Sequence, residues 1–417
     1  MLLINKPYIT EADGKSRLVA EIVIDNKEKK QIYFEVDNEY AKYLCYERSD
    51  AFLIGLLNWA MRHNHNIKCI TPVTEELLFN INEYLIPSLT KNDKLLSKIS
   101  IDAPVENEPV ANAGGVGTGM SCGVDSFHCI HNLYNSKYKG MQLTHLCINS
   151  VGSFHNGYKR YGVEKARNEV RQRAISVAKE LNLPLIISAS NIKEEFEIYF
   201  EHGHTYYSMF AVYCMQKLWK VYYYASTYTF AYFSLRNNSK KDTAYYELLS
   251  LQCFSTHNLR IYSEGATEDR LEKTKTIVDD KLPQKYLHVC CTKGINCGKC
   301  LKCRRTMLTL DILGKLDDYK EVFDIDYYKT HRDEYLRWLY ESCQTRNIML
   351  KPIYNALKHE FNFKFKLRYK LLKLKYKLSI WGNRFHNIIS RICNKKTSKK
   401  NVIYKILFIK ISFKKKN

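Results

Sequence analysis

Gly119-Met-Ser-Cys-Gly-Val-Asp-Ser126 is the stretch on which the fold turns. It is a tight run of small residues followed by an amphipathic segment, Phe127 to Tyr134. Ser121, Gly123, Asp125 and Ser126 stand where a strand would hand over to a helix. Such a turn aims backbone N–H groups and hydroxyls into one cavity at a helix N-terminus, where the macrodipole favours an anion. Phosphate is the natural occupant, so an enzyme that handles a nucleoside triphosphate is the first expectation. The preceding Gly114-Gly-Val-Gly-Thr-Gly119 is awkward, because it is glycine-rich where a buried strand should be apolar.

Downstream the pattern alternates. Leu143–Asn149, Leu185–Ser188, Val221–Ala225 and Leu259–Ser263 read as strands; Glu164–Leu181 and Tyr206–Trp219 read as helices. This rhythm predicts an α/β fold with a parallel sheet and helices on both faces. Ligands of such sheets bind beyond the C-terminal strand ends. The turn at 121–126 and the polar ends Asn149-Ser150 and Ser188-Ala-Ser-Asn191 are therefore expected to share one edge.

Upstream, residues 1–108 read as a separate α+β domain without a catalytic constellation. Leu18–Ile24 and Gln31–Val36 are predicted strands around the turn Asp25-Asn-Lys-Glu28. Ala51–Arg62 and Glu75–Ile86 carry helical spacing, with Pro87 a natural stop for the second.

Ser121-Cys-Gly-Val-Asp-Ser126 resembles the Ser-Gly-Gly-x-Asp-Ser signature of the PP-loop ATP pyrophosphatases. Ser121, Gly123, Asp125 and Ser126 match it position by position, and Cys122 stands where the family usually has glycine. If that position needs positive φ, cysteine costs on the order of 1 kcal/mol. The resemblance implies a Rossmann-like domain of the adenine nucleotide alpha-hydrolase type. Its loop would grip the β,γ-diphosphate of ATP and leave the α-phosphorus open to attack. Asn149 joins the expected nucleotide-binding set, and Asp125 would help place Mg²⁺ or the loop itself.

A second motif is Cys297-Gly-Lys-Cys300-Leu-Lys-Cys303, preceded by Cys290 and Cys291. Three cysteines at two-residue spacings plus one upstream can close a tetrahedral thiolate site around Zn²⁺. Cys290 is preferred as fourth ligand, but spacing does not separate it from Cys291, and His288 is a weaker candidate. Lys293, Lys299, Lys302, Arg304 and Arg305 would offset the thiolate charge. A Cys-x-x-Cys redox pair is the rival reading. The spacing is similar to the zinc site of the 7-cyano-7-deazaguanine synthases of queuosine biosynthesis, which also follows a PP-loop domain. The resemblance covers roughly residues 115–315.

Glu264-Gly-Ala-Thr-Glu-Asp-Arg270-Leu-Glu-Lys273 resembles the Ser/Thr–Arg–Glu–Lys stretch after a late strand of the same family. The resemblance implies that Arg270 and Lys273 neutralise phosphate charge as the α–β bond breaks. An exposed charged helix with i,i+3 and i,i+4 ion pairs is the alternative. His202-Gly-His204 invites a metal, but no third ligand is evident nearby and a capping loop is preferred.

The 417 residues allow several domains, and 45% hydrophobic content suits a globular protein. No apolar run is long enough to span a bilayer and the N-terminus lacks a secretory pattern, so the expected location is cytoplasmic, with the inner membrane surface as a peripheral option. Of a net charge of +22, about +18 lies in residues 358–417, where Glu360 is the single acid. That extension, with aromatics and aliphatics between its cations, suits an anionic membrane surface, RNA or a protein partner. Periodicity leaves Asn362–Leu378 open between helix and strand. The expected divisions are 1–108, 109–285 (ATP-binding), 286–325 (zinc), 326–357 (helical) and 358–417 (basic).

The expected reaction is adenylation of a carboxylate or amide oxygen with release of pyrophosphate, followed by nitrogen transfer; the nitrogen step comes from the resemblance alone. The alternatives are a tRNA-modifying PP-loop enzyme with Cys300 or Cys303 as a catalytic thiol, and a non-catalytic nucleotide-binding scaffold.

Overall fold

The fold is taken from a computed structural model, which describes all residues except 153–160, 236–241, 345–347, 375–392, 398–400, 407–408 and 415–417. The chain divides into two compact units, Met1–Arg332 and Asp333–Asn417.

The first unit is α/β, built on one eleven-stranded, mixed and mostly parallel sheet. From one edge the order is Arg260–Glu264, Trp219–Ala225, Gly115–Gly119, His145–Ser150, Leu185–Ser190, Glu28–Asp37, Lys15–Ile24, Leu2–Ile4, Ile67–Cys69 and Ile101–Asp102. Tyr8–Ala12 pairs with Lys15–Ile24 off this path. The first five strands are mutually parallel. Gly115–Gly119 comes first of these in the chain and lies in their middle, so the order reverses between it and Trp219–Ala225. In open α/β sheets the crevice beyond the strand C-termini at such a reversal is where ligands bind.

The glycine-rich strand has a steric cause. A Cβ on Gly117 would stand 2.6 Å from Cζ3 of Trp219, and one on Gly115 would stand 2.8 Å from the Leu218 carbonyl oxygen. Trp219 is fully buried and fills the space an apolar strand's side chains would take. It belongs to the strand Trp219–Ala225, not to the end of the preceding helix, which spans Phe200–Cys214.

The hairpin Lys15–Ile24/Glu28–Asp37 forms as the alternation predicts, with Asp25 and Asn26 both left-handed in its turn. The expected boundary at 108–109 does not coincide with a break between compact units. Glu28–Asp37 pairs antiparallel with Leu185–Ser190. The helix Asp50–His63 packs on Phe200–Cys214, where the Phe52 and Phe210 rings lie 5.5 Å apart. One apolar core runs from Leu2 to Ile261, so the N-terminal strands bury their surface against the later ones. Pro87 does not end its helix. The path continues from Glu75–Phe79 through a π-turn, Asn80–Leu85, into Ile86–Asn92, and Pro87 falls in the first turn of that last piece, where a missing N–H is tolerated.

In the second unit the chain is helical over Lys351–Ala356 and 363–374, which settles the ambiguous periodicity as helix there. Three antiparallel strands follow, Cys393–Thr397, Asn401–Ile406 and Ile409–Lys414. The Phe361 ring stacks on Tyr354 at 4.9 Å, meets Phe365 edge-on at 5.2 Å and lies tilted against Tyr340 at 5.3 Å. Some of the basic extension lies outside the described residues. Among the described residues no helix is long and apolar enough to cross a membrane.

Candidate functional site

The strand Gly115–Gly119 ends at the sheet's reversal, and the chain turns into the helix Val124–Leu133. Cys122 makes the turn in the left-handed region, at φ +57°. A side chain in that conformation costs about 1 kcal/mol, which is why glycine suits the position. The Cys122 thiol is fully buried, and burial pushes its pKa up to about 12, so it is an inert packing group. Gly123 is the N-cap, and its carbonyl accepts the first helical bond, from the Phe127 N–H at 3.0 Å. The N–H groups of the turn before Phe127 have no acceptor within the helix. Ser121 Oγ accepts the Gly123 N–H at 3.4 Å and lies 3.4 Å from Ser126 Oγ.

A cavity of about 480 Å³ opens against this turn, lined by Ser121, Gly123, Asp125 and Ser126. Asn149 reaches the same cavity from the end of His145–Ser150. Its Oδ1 accepts from Ser188 Oγ at 2.8 Å, so the adjacent strand end orients it. Asn191 instead serves the N-terminal hairpin, accepting the Tyr33 N–H at 2.9 Å.

Arg270 and Lys273 come from the helix Arg270–Ile277, which packs on Val124–Leu133. Its start is fixed by a capping box: Asp269 accepts from Leu271 and Glu272 N–H, and Glu272 accepts the Asp269 N–H. Three residues apart, the two cations share a face. Arg270 donates to Asp125 Oδ2 at 2.6 Å, and Lys273 Nζ lies 3.3 Å from Oδ1 while donating to the Ser226 carbonyl at 2.7 Å. Lys273 is 1% exposed, so the exposed-helix reading does not hold for it. Burial would raise the Asp125 carboxyl, but Arg270 and Lys273 outweigh that and hold it below the ordinary carboxylate range. Asp125 thus anchors the two cations beside the turn.

The four sulfurs of Cys290, Cys297, Cys300 and Cys303 lie within 4.8 Å of one another and could hold a metal ion such as zinc. Cys290–Cys300 and Cys297–Cys303 are 3.9 and 4.0 Å apart. Tetrahedral zinc with bonds of about 2.3 Å needs about 3.8 Å between sulfurs, so the geometry fits. Cys291 is outside the group and lines the cavity. Burial pushes the His288 pKa down to about 4, and its Nε2 lies 2.9 Å from the Lys293 carbonyl.

Comparison with protein-family models, with curated proteins and with solved structures finds no match in any of the three. The site therefore stands on its geometry.

Sequence reasoning missed several residues of this cavity. His202 and His204 lie within the helix Phe200–Cys214, not in a capping loop. His204 Nδ1 is 2.8 Å from Tyr224 Oη and its Nε2 is 3.0 Å from Asp242, and all three residues line the cavity. No local motif joins residues so far apart. Lys302 and Arg305, read as partners of the thiolates, also line it. Their i,i+3 spacing behind a helix-starting cysteine was the available signal.

Proposed function

We propose that the chain is an ATP-dependent enzyme of the PP-loop type, with Gly115–Glu264 forming a Rossmann-like domain. One observation carries the reading: the turn at 121–126, Asn149 and Arg270 converge on one cavity at the point where the sheet order reverses. The diphosphate of ATP would lie on the N–H groups of the turn, with the hydroxyls of Ser121 and Ser126 as further donors. A carboxylate or amide oxygen of the acceptor attacks the α-phosphorus; the new O–P bond forms as the bridging α–β P–O bond breaks, and pyrophosphate leaves onto the turn. Arg270 and Lys273 stabilise that leaving charge, already held in place by Asp125. Mg²⁺, bound with the nucleotide, would share the same neutralisation. Ammonia then displaces AMP from the adenylate and gives up a proton.

Zinc at Cys290, Cys297, Cys300 and Cys303 would be structural, since four thiolates leave no open position. The grouping of Cys300 and Cys303 with two other sulfurs favours ligands over the catalytic thiol of a tRNA-modifying enzyme.

The test is exchange of labelled pyrophosphate into ATP by the purified chain with a pool of metabolite carboxylates and amides, with Asp125→Ala as control. Exchange in the wild type and its loss in the variant are expected. Absence of exchange with every pool favours the nucleotide-binding scaffold.

A further inference from the structure

The cysteine segment is physically joined to the turn. The His288 N–H donates to the carbonyl of Cys122 at 2.8 Å, gripping the left-handed residue of the turn. Asn296 holds the segment together: its Oδ1 accepts the Val289 N–H at 2.9 Å, and its Nδ2 donates to the Leu287 carbonyl at 2.8 Å. The segment ends in the helix Leu301–Ile312, whose N-cap is Cys300. Cys300 Sγ accepts the Cys303 N–H at 3.5 Å, and the Cys300 N–H reaches Cys297 Sγ at 3.3 Å. Two of the four sulfurs are thus at the start of this helix.

Lys302 and Arg305 sit on the same first turns, three apart, and both line the cavity. Lys302 follows Cys300 by two residues and Arg305 follows Cys303 by two, so little chain separates the sulfurs from the cations. Arg305 is 5% exposed. With Arg270 and Lys273, four cations gather about Asp125. Asp242, the other carboxylate of the cavity lining, is bonded to His204. Gathering like charges in a partly dry cavity is unfavourable until a polyanion enters.

We propose that the cysteine segment forms the second wall of the anion site: Lys302 and Arg305 bind the diphosphate group, and metal on the four cysteines sets the affinity by fixing where they stand. This rests on reading the cavity as a polyphosphate site. It gives the metal a role in ligand binding although no ligand touches it, and it explains why the segment holds the turn through Cys122.

The test is calorimetric titration of the full chain with inorganic pyrophosphate and with ATP, using zinc-loaded protein, chelated protein, Lys302→Gln and Arg305→Gln, with acetate as a carboxylate control. Far-UV circular dichroism checks that each form is folded. Each substitution is expected to weaken pyrophosphate and ATP binding about tenfold, the effect of losing one charge-assisted contact. Chelation should weaken both by a similar factor, and restored zinc should recover them; acetate should bind too weakly to compete. Lys302 is exposed, so its variant stays informative if Arg305→Gln fails to fold. Wild-type binding that ignores chelation or the Lys302 change overturns this proposal alone. Acetate competing with pyrophosphate would assign the wall to a carboxylate and also overturn it. No binding of either anion by the zinc-loaded wild type overturns the polyphosphate reading itself.

Discussion

Asp125→Asn isolates what the carboxylate does beside the turn. Asparagine fills the same space and keeps an oxygen that can accept from Arg270, so packing is nearly unchanged and the charge alone is lost. Lys273 is 1% exposed and the Arg270 side chain 11% exposed, so neither cation is well solvated. Breaking a buried ion pair from one side costs roughly 3–5 kcal/mol. Lys273 keeps its bond to the Ser226 carbonyl, which places the expected loss at the low end, about 3 kcal/mol. At about 2 °C per kcal/mol for a large unit, the unfolding midpoint should fall by about 6 °C. Thermal unfolding followed by circular dichroism reads this directly. Pyrophosphate at about a hundred times its dissociation constant should stabilise the variant by about 2.7 kcal/mol, because it binds the folded state alone. The sign with pH also follows. The Asp125 carboxyl is held below its ordinary range, so its contribution is complete above that range and is lost as pH falls through the lowered value. Wild type and variant should therefore converge only in acid. A midpoint within about 1 °C of wild type at neutral pH, with no gain from pyrophosphate, would refute the ion-pair reasoning.

Three further outcomes follow from other sites. Cys122→Gly should be more stable than Cys122→Ala by about 1 kcal/mol in chemical denaturation, since both lose the buried thiol and only glycine relieves the φ of +57°; the reverse order would show that the turn is not strained. Metal analysis of the purified chain should find one zinc, retained in Cys291→Ser and lost in Cys290→Ser, and the opposite pattern would reassign the fourth ligand. Glu247 is 3% exposed, accepts from Ser263 Oγ at 2.9 Å, and is pushed up to about 7 by burial. Its folded value lies above its unfolded one, so the folded state holds the extra proton and stability falls as pH rises from about 4.5 to 7, by about 3 kcal/mol. Glu247→Gln should flatten that slope in denaturation curves taken across this window, and an unchanged slope would place the titration elsewhere.

Much of the site was legible because its signals are local. The small-residue turn and the cysteine run are each confined to a short stretch of chain, and each gathers its groups as the spacing predicts. What escaped depends on contacts across the chain. Gly117 reads as a flaw in a strand until Trp219 is seen against it. The pairing of Glu28–Asp37 with Leu185–Ser190 joins segments far apart in the chain, and no composition shift reveals it, so the first hundred residues read as separate. Cys290 and Cys291 are adjacent and spacing cannot rank them; only the fold shows that Cys290 completes the group of four sulfurs, with Cys291 also beside Cys300. His204, Tyr224 and Asp242 meet from three elements.

The central claim is that the backbone turn at 121–126 receives the diphosphate of ATP. A crystal of the zinc-loaded chain grown with a non-hydrolysable ATP analogue tests it most directly. The expected result is density for the β- and γ-phosphates on the N–H groups of residues 123–126, between Ser121 and Arg270. Density for those phosphates elsewhere on the chain, with this turn closed by a side chain, would contradict it.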